Sequence, residues 1–382
     1  MKIAGIICEY NPFHKGHQRL FDLIRREFGE TTPIVCVMSG NYVQRGTPAT
    51  WDKYTRANAA VACGADLVLE LPLTAVLRSA EGFAKAGVEI LTKLGSVTHL
   101  CFGSECGDTS LLSNLAAKMR TEEYAETLRS YLSEGTSYAA ARQLAAGCCS
   151  ELMSQPNNIL GLEYCLAIQT SGSPLVPCTF QRNGSYHADV PEEAEPSATS
   201  IRGSLDRDDW TDYLPSEAAA LLASAPRYDT PWGERAVLAR LRSMSDEQWE
   251  QTAHGSEGLW RKAMKASRSC STLEDILQSV KSKRYPMTRI QRLLLCAYLG
   301  ITGEQLHAPI PYVRILAASS TGRTLLRQAK NDSTLTLINP GETPSDQAYY
   351  RLETVASDLF SLFCAPDTLP LCGAEQAARI SI

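Results

Sequence analysis

The chain has 382 residues, of which 44% are hydrophobic and 21% are charged, and its formal net charge is −5. This composition can bury a core, which excludes an intrinsically disordered chain, and the length predicts two or three domains. The negative balance excludes a protein that coats nucleic acid over its whole surface, although it allows a local basic patch.

The first two hundred residues alternate between strand-length apolar runs and stretches with helical spacing. Strands are predicted at 2–8, 33–39, 65–72, 97–103 and 175–181, and helices at 14–28, 51–62, 78–94, 108–131 and 157–170. Buried strands that alternate with amphipathic helices predict an α/β fold with a doubly wound parallel, Rossmann-like sheet. Ligands of such sheets bind at the carboxyl ends of the strands, which nominates the loops at 9–17, 40–50, 72–77 and 103–107.

The pattern of predicted secondary structure changes near residue 205. Beyond that point helical patterns joined by Pro and Gly turns dominate, with one predicted strand at 333–339 and a last helix at 344–363. We therefore expect a sheet domain at residues 1–205 and a mainly helical region at residues 206–382.

Neither membrane insertion nor secretion is indicated. No window of about twenty residues is apolar enough to span a bilayer, and the first residues show no signal-peptide cleavage site. The thirteen cysteines are scattered without any CxxC pair. We expect a cytoplasmic protein with reduced, mostly buried thiols and no protein-bound metal.

Two histidines stand where the first strand gives way to the first helix, in "EYNPFHKGH". His14 and His17 would lie over the first helical turn, where free backbone N–H groups and the helix dipole favour an anion. Gly16 between them would let a ligand or neighbouring backbone approach closely. The stretch is neither a Walker A nor a GxGxxG loop, which disfavours P-loop NTPases and Rossmann dehydrogenases. The alternative interpretation is a capping histidine beside a solvated one.

A second candidate anion site is "SATSIRGSL" at 197–205. Ser197, Thr199 and Ser200 would supply hydroxyl groups at the start of a helix, with Arg202 one turn further on. By itself this motif would rather be interpreted as an ordinary capped helix.

Residues 261–292 form a basic stretch, with nine Lys or Arg residues against two acids. A local charge of +7 on a protein of −5 is typical of a surface that follows nucleic-acid phosphates. Tyr285 could stack on a base. The predicted contacts to RNA are Lys281, Lys283, Arg284, Tyr285, Arg289 and Arg292. The alternative is a solvated helix face.

The order of these motifs resembles a known enzyme family. "HKGH" after a first strand, followed far downstream by "SATSIR", is similar to the HxGH and ISSTxIR motifs of the nucleotidyltransferase superfamily. "SGNYVQRGTPATWDKYTRA", "GADLVLELP", "CFGSE" and "PNNILGLEY" narrow the resemblance to the bacterial tRNA(Met) cytidine acetate ligases.

The resemblance implies a two-step reaction. Acetate attacks the α-phosphate of ATP, which releases pyrophosphate and forms acetyl-adenylate. The acetyl group then passes to N4 of the wobble cytidine of elongator tRNA(Met), giving N4-acetylcytidine and AMP. ATP is thus a substrate, with Mg²⁺ as its usual companion. Residues 1–205 would be the ATP-binding catalytic domain and residues 206–382 the tRNA-binding region.

The resemblance also implies a set of site residues. His14, His17, Lys15 and Arg202 would hold the phosphates and stabilise the charge that develops on them. The remaining implied contacts to ATP are Ile7, Cys8, Glu9, Tyr10, Asn11, Pro12, Phe13, Gly16, Leu20, Gly103, Asn157, Arg182, Asn183, Ser197, Thr199 and Ser200. Asn183 departs from the family, which often has an aliphatic residue there, so the role of this position stays open.

Four further polar residues invite competing interpretations. Gln44 and Arg45 could contact acetate or the incoming cytidine, or they could be ordinary surface turn residues. Asp66 and Glu70 are interpreted as packing or capping groups rather than as catalytic acids.

Two other functions share parts of this pattern. One is a nucleotidyltransferase that adenylates a small phosphorylated metabolite, which would have no use for the basic region. The other is a non-catalytic nucleotide- or RNA-binding protein, which would not need both histidines and the arginine motif intact.

Overall fold

The computed structural model describes residues 1–182 and 196–378. Its strands are β1 (Ala4–Cys8), β2 (Ile34–Ser39), β3 (Tyr42–Val43), β4 (Thr47–Pro48), β5 (Leu67–Leu71), β6 (His99–Ser104), β7 (Val176–Gln181), β8 (Val313–Ala318) and β9 (Leu337–Ile338). Within these described residues, β3 and β4 form a small antiparallel pair, and the other strands form one sheet in the order β7-β6-β1-β2-β5-β8-β9.

Helices cover most of the rest of the described chain. They are α1 (Lys15–Phe28), α2 (Lys53–Ala62), α3 (Leu73–Val76), α4 (Ala80–Lys93), α5 (Thr109–Met119), α6 (Glu122–Ser133), α7 (Tyr138–Ala146), α8 (Pro156–Ser171), α9 (Ala198–Arg202), α10 (Ser216–Ala223), α11 (Thr230–Ser243), α12 (Asp246–Gln251), α13 (Leu259–Ser269), α14 (Leu273–Val280), α15 (Met287–Leu299), α16 (Gly303–His307), α17 (Ser320–Asp332), α18 (Gln347–Phe360) and α19 (Ala374–Ala377). Short 3₁₀ helices occupy 147–154, 208–213 and 361–363.

The strand order confirms the predicted doubly wound sheet. The chain runs from β1 through β2 to β5 on one side, then returns to β6 and β7 on the other side of β1, with all five strands parallel. The direction of winding therefore reverses between β1 and β6. In α/β sheets the crevice at such a reversal is the usual place for a ligand.

Both faces of the sheet are covered, which is why its strands read as unbroken apolar runs. Along β1, Ile6 packs into the core that contains Phe21 and Ile24 of α1, while Ile7 belongs to the larger core on the opposite face. On that face Gly87 of α4 lies so close to Ile7 that an added Cβ would come within 2.5 Å of its Cδ1.

The C-terminal region differs from expectation in its strands. β8 was not predicted, and it joins the sheet antiparallel to β5, although it lies well beyond residue 205. The strand predicted at 333–339 is only Leu337–Ile338.

Two predicted helices are divided in the structure. The helix predicted at 108–131 is two helices, because the Thr121 side chain caps a new one. The helix predicted at 344–363 is α18 with a 3₁₀ turn after it.

Buried charge explains why β8 was missed. Arg314 interrupts its apolar run, yet the side chain is only 1% exposed because Glu70, Glu353 and Glu375 surround it. Lys53 of α2 joins this cluster, with its Nζ 2.7 Å from Glu70 Oε2 and 2.6 Å from Glu375 Oε1. The cluster thereby ties the sheet to α18 and α19.

The carboxylates of this region have structural partners. Burial, with repulsion from Glu70, raises the pKa of Glu353 to about 7, so the cluster approaches charge balance near neutral pH. Asp66 accepts from the Ile34 N–H and the Ser319 hydroxyl at 3.0 and 2.9 Å. Asp66 and Glu70 therefore act in packing, as interpreted from the sequence.

Two further properties of the described chain concern membrane-spanning helices and the state of the cysteines. No helix in the described ranges 1–182 and 196–378 combines the length and the apolarity needed to cross a bilayer. All thirteen cysteines lie in those ranges and are free, and only Cys148 and Cys372 are exposed.

Candidate active site

A cavity of about 390 Å³ opens at the carboxyl ends of β1, β6 and β7, where the winding of the sheet reverses. The loop after β2 and the first turns of α1, α4, α8 and α9 also line it. The predicted residues that line it are Ile7, Cys8, Glu9, Tyr10, Asn11, His14, Gly16, His17, Leu20, Gln44, Arg45, Gly103, Asn157, Arg182, Ser197, Thr199 and Arg202.

The two histidines form a capping box at the start of α1. The Gly16 N–H donates to His14 Nδ1 at 3.1 Å, and the His14 N–H donates to His17 Nδ1 at 3.2 Å. The rings stack with their centroids 3.7 Å apart, and Tyr10 packs edge-on against His17 at 4.8 Å. Gly16 gives the His14 ring its space, because an added Cβ would lie 3.0 Å from His14 Cε1.

These hydrogen bonds decide which ring nitrogen carries the proton. Each Nδ1 accepts from a backbone N–H, so in a neutral ring the proton resides on Nε2, which can then donate into the cavity. Burial, followed by the charge of Arg182, lowers the pKa of His17 to about 3. Burial and the neighbouring His17 also lower the pKa of His14 well below its usual value. Both rings are therefore neutral hydrogen-bond donors near pH 7.

Arginines supply the positive charge of the cavity. Arg19, Arg45, Arg182 and Arg202 all line it. Arg202 Nη1 donates to the Asn11 carbonyl at 2.6 Å, which couples the α9 motif to the loop after β1. Such a concentration of guanidinium groups beside two neutral donors is suited to a polyphosphate.

Gly103, near the end of β6, lies against the side chain of Arg182. In the structure an added Cβ would lie 2.9 Å from Arg182 Cδ, so the glycine makes room for the arginine stem.

Several predicted contacts are absent from the cavity wall. Pro12, Phe13, Lys15 and Ser200 do not line it. Phe13 is fully buried beside Phe21, with ring centroids 5.3 Å apart. The Ser200 hydroxyl donates to the Ser197 carbonyl at 2.9 Å, so it closes its own turn instead of facing a ligand. Asn183 lies outside the described residues.

Asn157 lines the cavity from the start of α8, and a carboxylate holds it there. Glu105 Oε1 accepts from Asn157 Nδ2 at 2.8 Å, and Glu105 Oε2 accepts from the Asn158 N–H at 2.7 Å. An acidic group at a helix N-terminus satisfies free N–H groups and complements the helix dipole.

Arg56 is the main structural residue of the site that sequence reasoning missed. Fully buried, it donates to the carbonyls of Trp51 and Ser39 at 3.0 and 3.1 Å and also to those of Glu9 and Gly40. These hydrogen bonds hold the loops after β1 and β2 together. The sequence feature that could have indicated a buried Arg56 is its position inside the alanine-rich segment "YTRANAAVA".

The basic stretch at 261–292 only partly faces outward. Lys281, Lys283 and Arg284 are exposed on the loop between α14 and α15. Tyr285 is only 9% exposed, and its hydroxyl donates to the Glu257 carbonyl at 2.6 Å, which corrects the expectation that it stacks on a base. Arg292 is only 8% exposed and therefore cannot belong to an open basic face.

A second, larger cavity of about 1,020 Å³ adjoins the first; we call it the basic groove. The charged and imidazole side chains along it are Arg78, Lys85, His254, Arg289, Arg292 and His307, together with Glu81, Glu250 and Glu257. Gln44 separates the two cavities. Its carbonyl accepts from Arg292 Nη1 at 3.4 Å, and its Nε2 donates to the Arg78 carbonyl at 3.3 Å.

Comparison with known proteins gives consistent results. The family described as HIGH Nucleotidyl Transferase matches residues 1–370. The tRNA(Met) cytidine acetate ligase of Syntrophomonas wolfei is 36% identical, with 99% of this chain and 97% of the relative covered. The Acetivibrio thermocellus protein of the same name is 35% identical over the whole of both chains.

A solved structure shares the entire fold. The chain is similar to Thermotoga maritima TmcAL bound with alpha-thio ATP, with a TM-score of 0.87, 28% identity, and coverage of 98% of this chain and 97% of that one. The apo form of the same Thermotoga protein superposes with a TM-score of 0.89.

Proposed function

The chain belongs to the HIGH nucleotidyl transferases and, among them, to the tRNA(Met) cytidine acetate ligases, and we propose that it acetylates N4 of the wobble cytidine of elongator tRNA(Met). It uses ATP to activate acetate as acetyl-adenylate. The observation that carries the proposal is the pair of neutral, stacked histidines in an arginine-lined cavity at the reversal point of the sheet.

In the first step, an acetate oxygen forms a bond to the α-phosphorus of ATP while the bond to the departing pyrophosphate breaks. Negative charge grows on the bridging and outer oxygens as pyrophosphate leaves. His14 and His17 donate from Nε2 to these oxygens, and Arg202 and Arg182 bind the outer phosphates. Preorganised donors of this kind stabilise the transition state without reorganisation.

Magnesium would accompany the nucleotide. Among the described residues, no group of three or more His, Cys, Asp or Glu side chains could hold a metal ion. The triphosphate carries oxygen ligands that Mg²⁺ prefers. We therefore expect the ion to be bound chiefly by ATP, and the protein residues to act on the phosphates themselves.

In the second step, the cytidine approaches from the side of the basic groove. The groove meets the nucleotide cavity at Gln44, and the exposed Lys281, Lys283 and Arg284 can contact the tRNA backbone. We accordingly assign ATP binding to residues 1–205 and tRNA binding mainly to the helical region after them. Because the substrate is a tRNA, we expect the reaction to take place in the cytoplasm.

A direct assay tests this function. Purified protein is incubated with labelled acetate, ATP and bulk tRNA, and label is expected at N4 of cytidine with release of AMP and pyrophosphate. If no label enters RNA but ATP is consumed with a phosphorylated metabolite supplied in parallel, the protein is a metabolite nucleotidyltransferase. Absence of any nucleotide turnover would indicate a non-catalytic binding protein.

Reversing the charge of the exposed loop is expected to weaken tRNA binding. The double variant Lys283→Glu/Arg284→Glu should lose about tenfold or more in affinity at low salt, and the slope of log K against log salt should become shallower by about two. Titration of labelled tRNA at several salt concentrations measures both quantities.

The matched control is Arg129→Glu on α6, where the native side chain is 65% exposed outside the basic stretch. It should leave tRNA affinity and its salt dependence unchanged, and both variants should retain acetate-dependent ATP–pyrophosphate exchange. An unaltered salt slope in the double variant would show that this loop does not contact phosphates.

A further inference from the structure

One carboxylate stands in a cavity otherwise built for anions. Among the described residues that line the cavity, Glu9 is the single acidic side chain, alongside four arginines and two histidines. A negative charge opposes the binding of ATP and acetate, so this residue requires an explanation from another part of the reaction.

The two steps of the proposed reaction differ in their need for a base. Acetate is already an anion near neutral pH, so adenylation requires no proton acceptor. In the acetyl transfer, N4 of cytidine bonds to the acetyl carbon and becomes positively charged. It must then lose a proton as the bond from the acetyl carbon to the AMP oxygen breaks.

The histidines are poorly placed to accept that proton. Nδ1 of His14 and Nδ1 of His17 both already accept from backbone N–H groups, and the proton of each neutral ring occupies Nε2. A ring in this state can donate but has no open acceptor nitrogen.

Glu9 also lies on the correct side of the cavity. Its Oε1 accepts from the Gln44 N–H at 2.7 Å, and Gln44 is the residue that separates the nucleotide cavity from the basic groove. The carboxylate is thus at the boundary between the bound nucleotide and the route by which the cytidine arrives. Arg56 fixes the backbone at this point by donating to the Glu9 carbonyl.

We propose that Glu9 is the general base of the acetyl-transfer step, an inference that rests on the proposed function. As N4 attacks acetyl-adenylate, the N4 proton passes to the Glu9 carboxylate. The acetyl carbon–oxygen bond breaks, and AMP leaves with that electron pair. The proton on Glu9 is then released to solvent.

The electrostatic surroundings agree with this role. Burial raises the pKa of Glu9, while the Gln44 N–H and the charges of Arg56, Arg202 and Arg45 oppose the rise. Tyr164 and Cys8 are the other titratable groups near it, and burial raises the pKa of both well above their usual values, so they stay neutral. A carboxylate with a raised pKa is a stronger proton acceptor than an ordinary carboxylate.

The variant Glu9→Gln tests the proposal, because its amide oxygen can still accept from the Gln44 N–H. Acetyl-adenylate formation is measured by acetate-dependent ATP–pyrophosphate exchange. The second step is measured by adding preformed acetyl-adenylate and tRNA in a single turnover. Glu9→Gln should slow the second step by about a hundredfold or more and the first by only a few-fold.

The pH dependence distinguishes a base from a positioning group. In the native protein the transfer rate should rise with pH through the pKa of Glu9, above the ordinary carboxyl value of 4.5, and then level off. Glu9→Gln should lose this rise, whereas Glu9→Asp should keep it at a lower rate. Glu89→Gln, an exposed carboxylate of α4 paired with Lys93, is the control and should match the native protein.

The outcomes separate this inference from the function on which it rests. Failure of the native protein to transfer acetyl from acetyl-adenylate would overturn both. Native transfer with equal rates in Glu9→Gln, or with both steps reduced alike, would overturn only the role of Glu9. Thermal unfolding of Glu9→Gln checks folding, and Glu9→Asp gives the same test through its pH profile if Glu9→Gln is unstable.

Discussion

His17→Ala is expected to lower the rate of acetyl-adenylate formation by about a hundred- to a thousandfold, the usual loss when one preorganised transition-state donor is removed. The His17 ring is neutral, and its Nδ1 is committed to the His14 N–H at 3.2 Å. Its Nε2–H is therefore available to the phosphate oxygens as negative charge grows on them. The rate is measured by acetate-dependent ATP–pyrophosphate exchange, and tRNA binding should be unaffected.

A second variant separates chemistry from helix capping. His17→Gln keeps an acceptor for the His14 N–H, because Gln is a normal third residue of a capping box, but it moves the donor. It should be about as stable as the native protein and nearly as inactive as His17→Ala. His99→Ala, at the opposite end of β6, controls for loss of an imidazole. Native-level exchange in His17→Gln would show that the ring acts only as a cap.

Lys53→Met is expected to lower the free energy of unfolding by about 3–5 kcal/mol, the typical cost of leaving buried charge without its partner. Lys53 is 3% exposed and lies between Glu70 and Glu375, which are equally hidden. Burial alone would lower the pKa of Lys53, but these carboxylates outweigh it and raise that pKa. Removing the ammonium group leaves three buried carboxylates facing Arg314 alone.

Urea denaturation of the native and variant proteins measures this change. Lys93→Met is the matched control, since Lys93 also pairs with a glutamate but is 44% exposed. An exposed pair of this kind is worth about 0–1 kcal/mol. A loss in Lys53→Met no larger than in Lys93→Met would show that water or rearrangement compensates the cluster.

The sequence was most informative for features of the fold that are determined by residues close together in the chain. The strand β1, the turn after it and the capping histidines of α1 form one continuous local pattern, and the structure places them as predicted. Apolar runs covered on both faces identified the parallel strands of the N-terminal part. Family resemblance, rather than spacing, linked Arg202 to the histidines, and the Arg202–Asn11 contact joins the two motifs.

Prediction was least successful where distant residues decide burial. Tyr285 and Arg292 belong to a basic stretch that reads as an exposed face, but packing against Glu257 and Gln44 removes them from it. Arg314 made β8 unrecognisable, since a lone arginine in a strand is buried only when carboxylates from other elements surround it. Arg56 and Glu105 were missed because most of their hydrogen-bond partners also lie far away in the chain.

The local pattern of polar and apolar residues by itself identified the five parallel strands, the loops at their carboxyl ends and the histidine pair, because each of these can be recognised within one short segment. Tertiary structure alone decided which cations face solvent, which carboxylate lies among the arginines, and how the C-terminal helices are fastened to the sheet. Those outcomes depend on the desolvation and pairing of charges far apart in the chain. Such energies arise only after the segments have packed together.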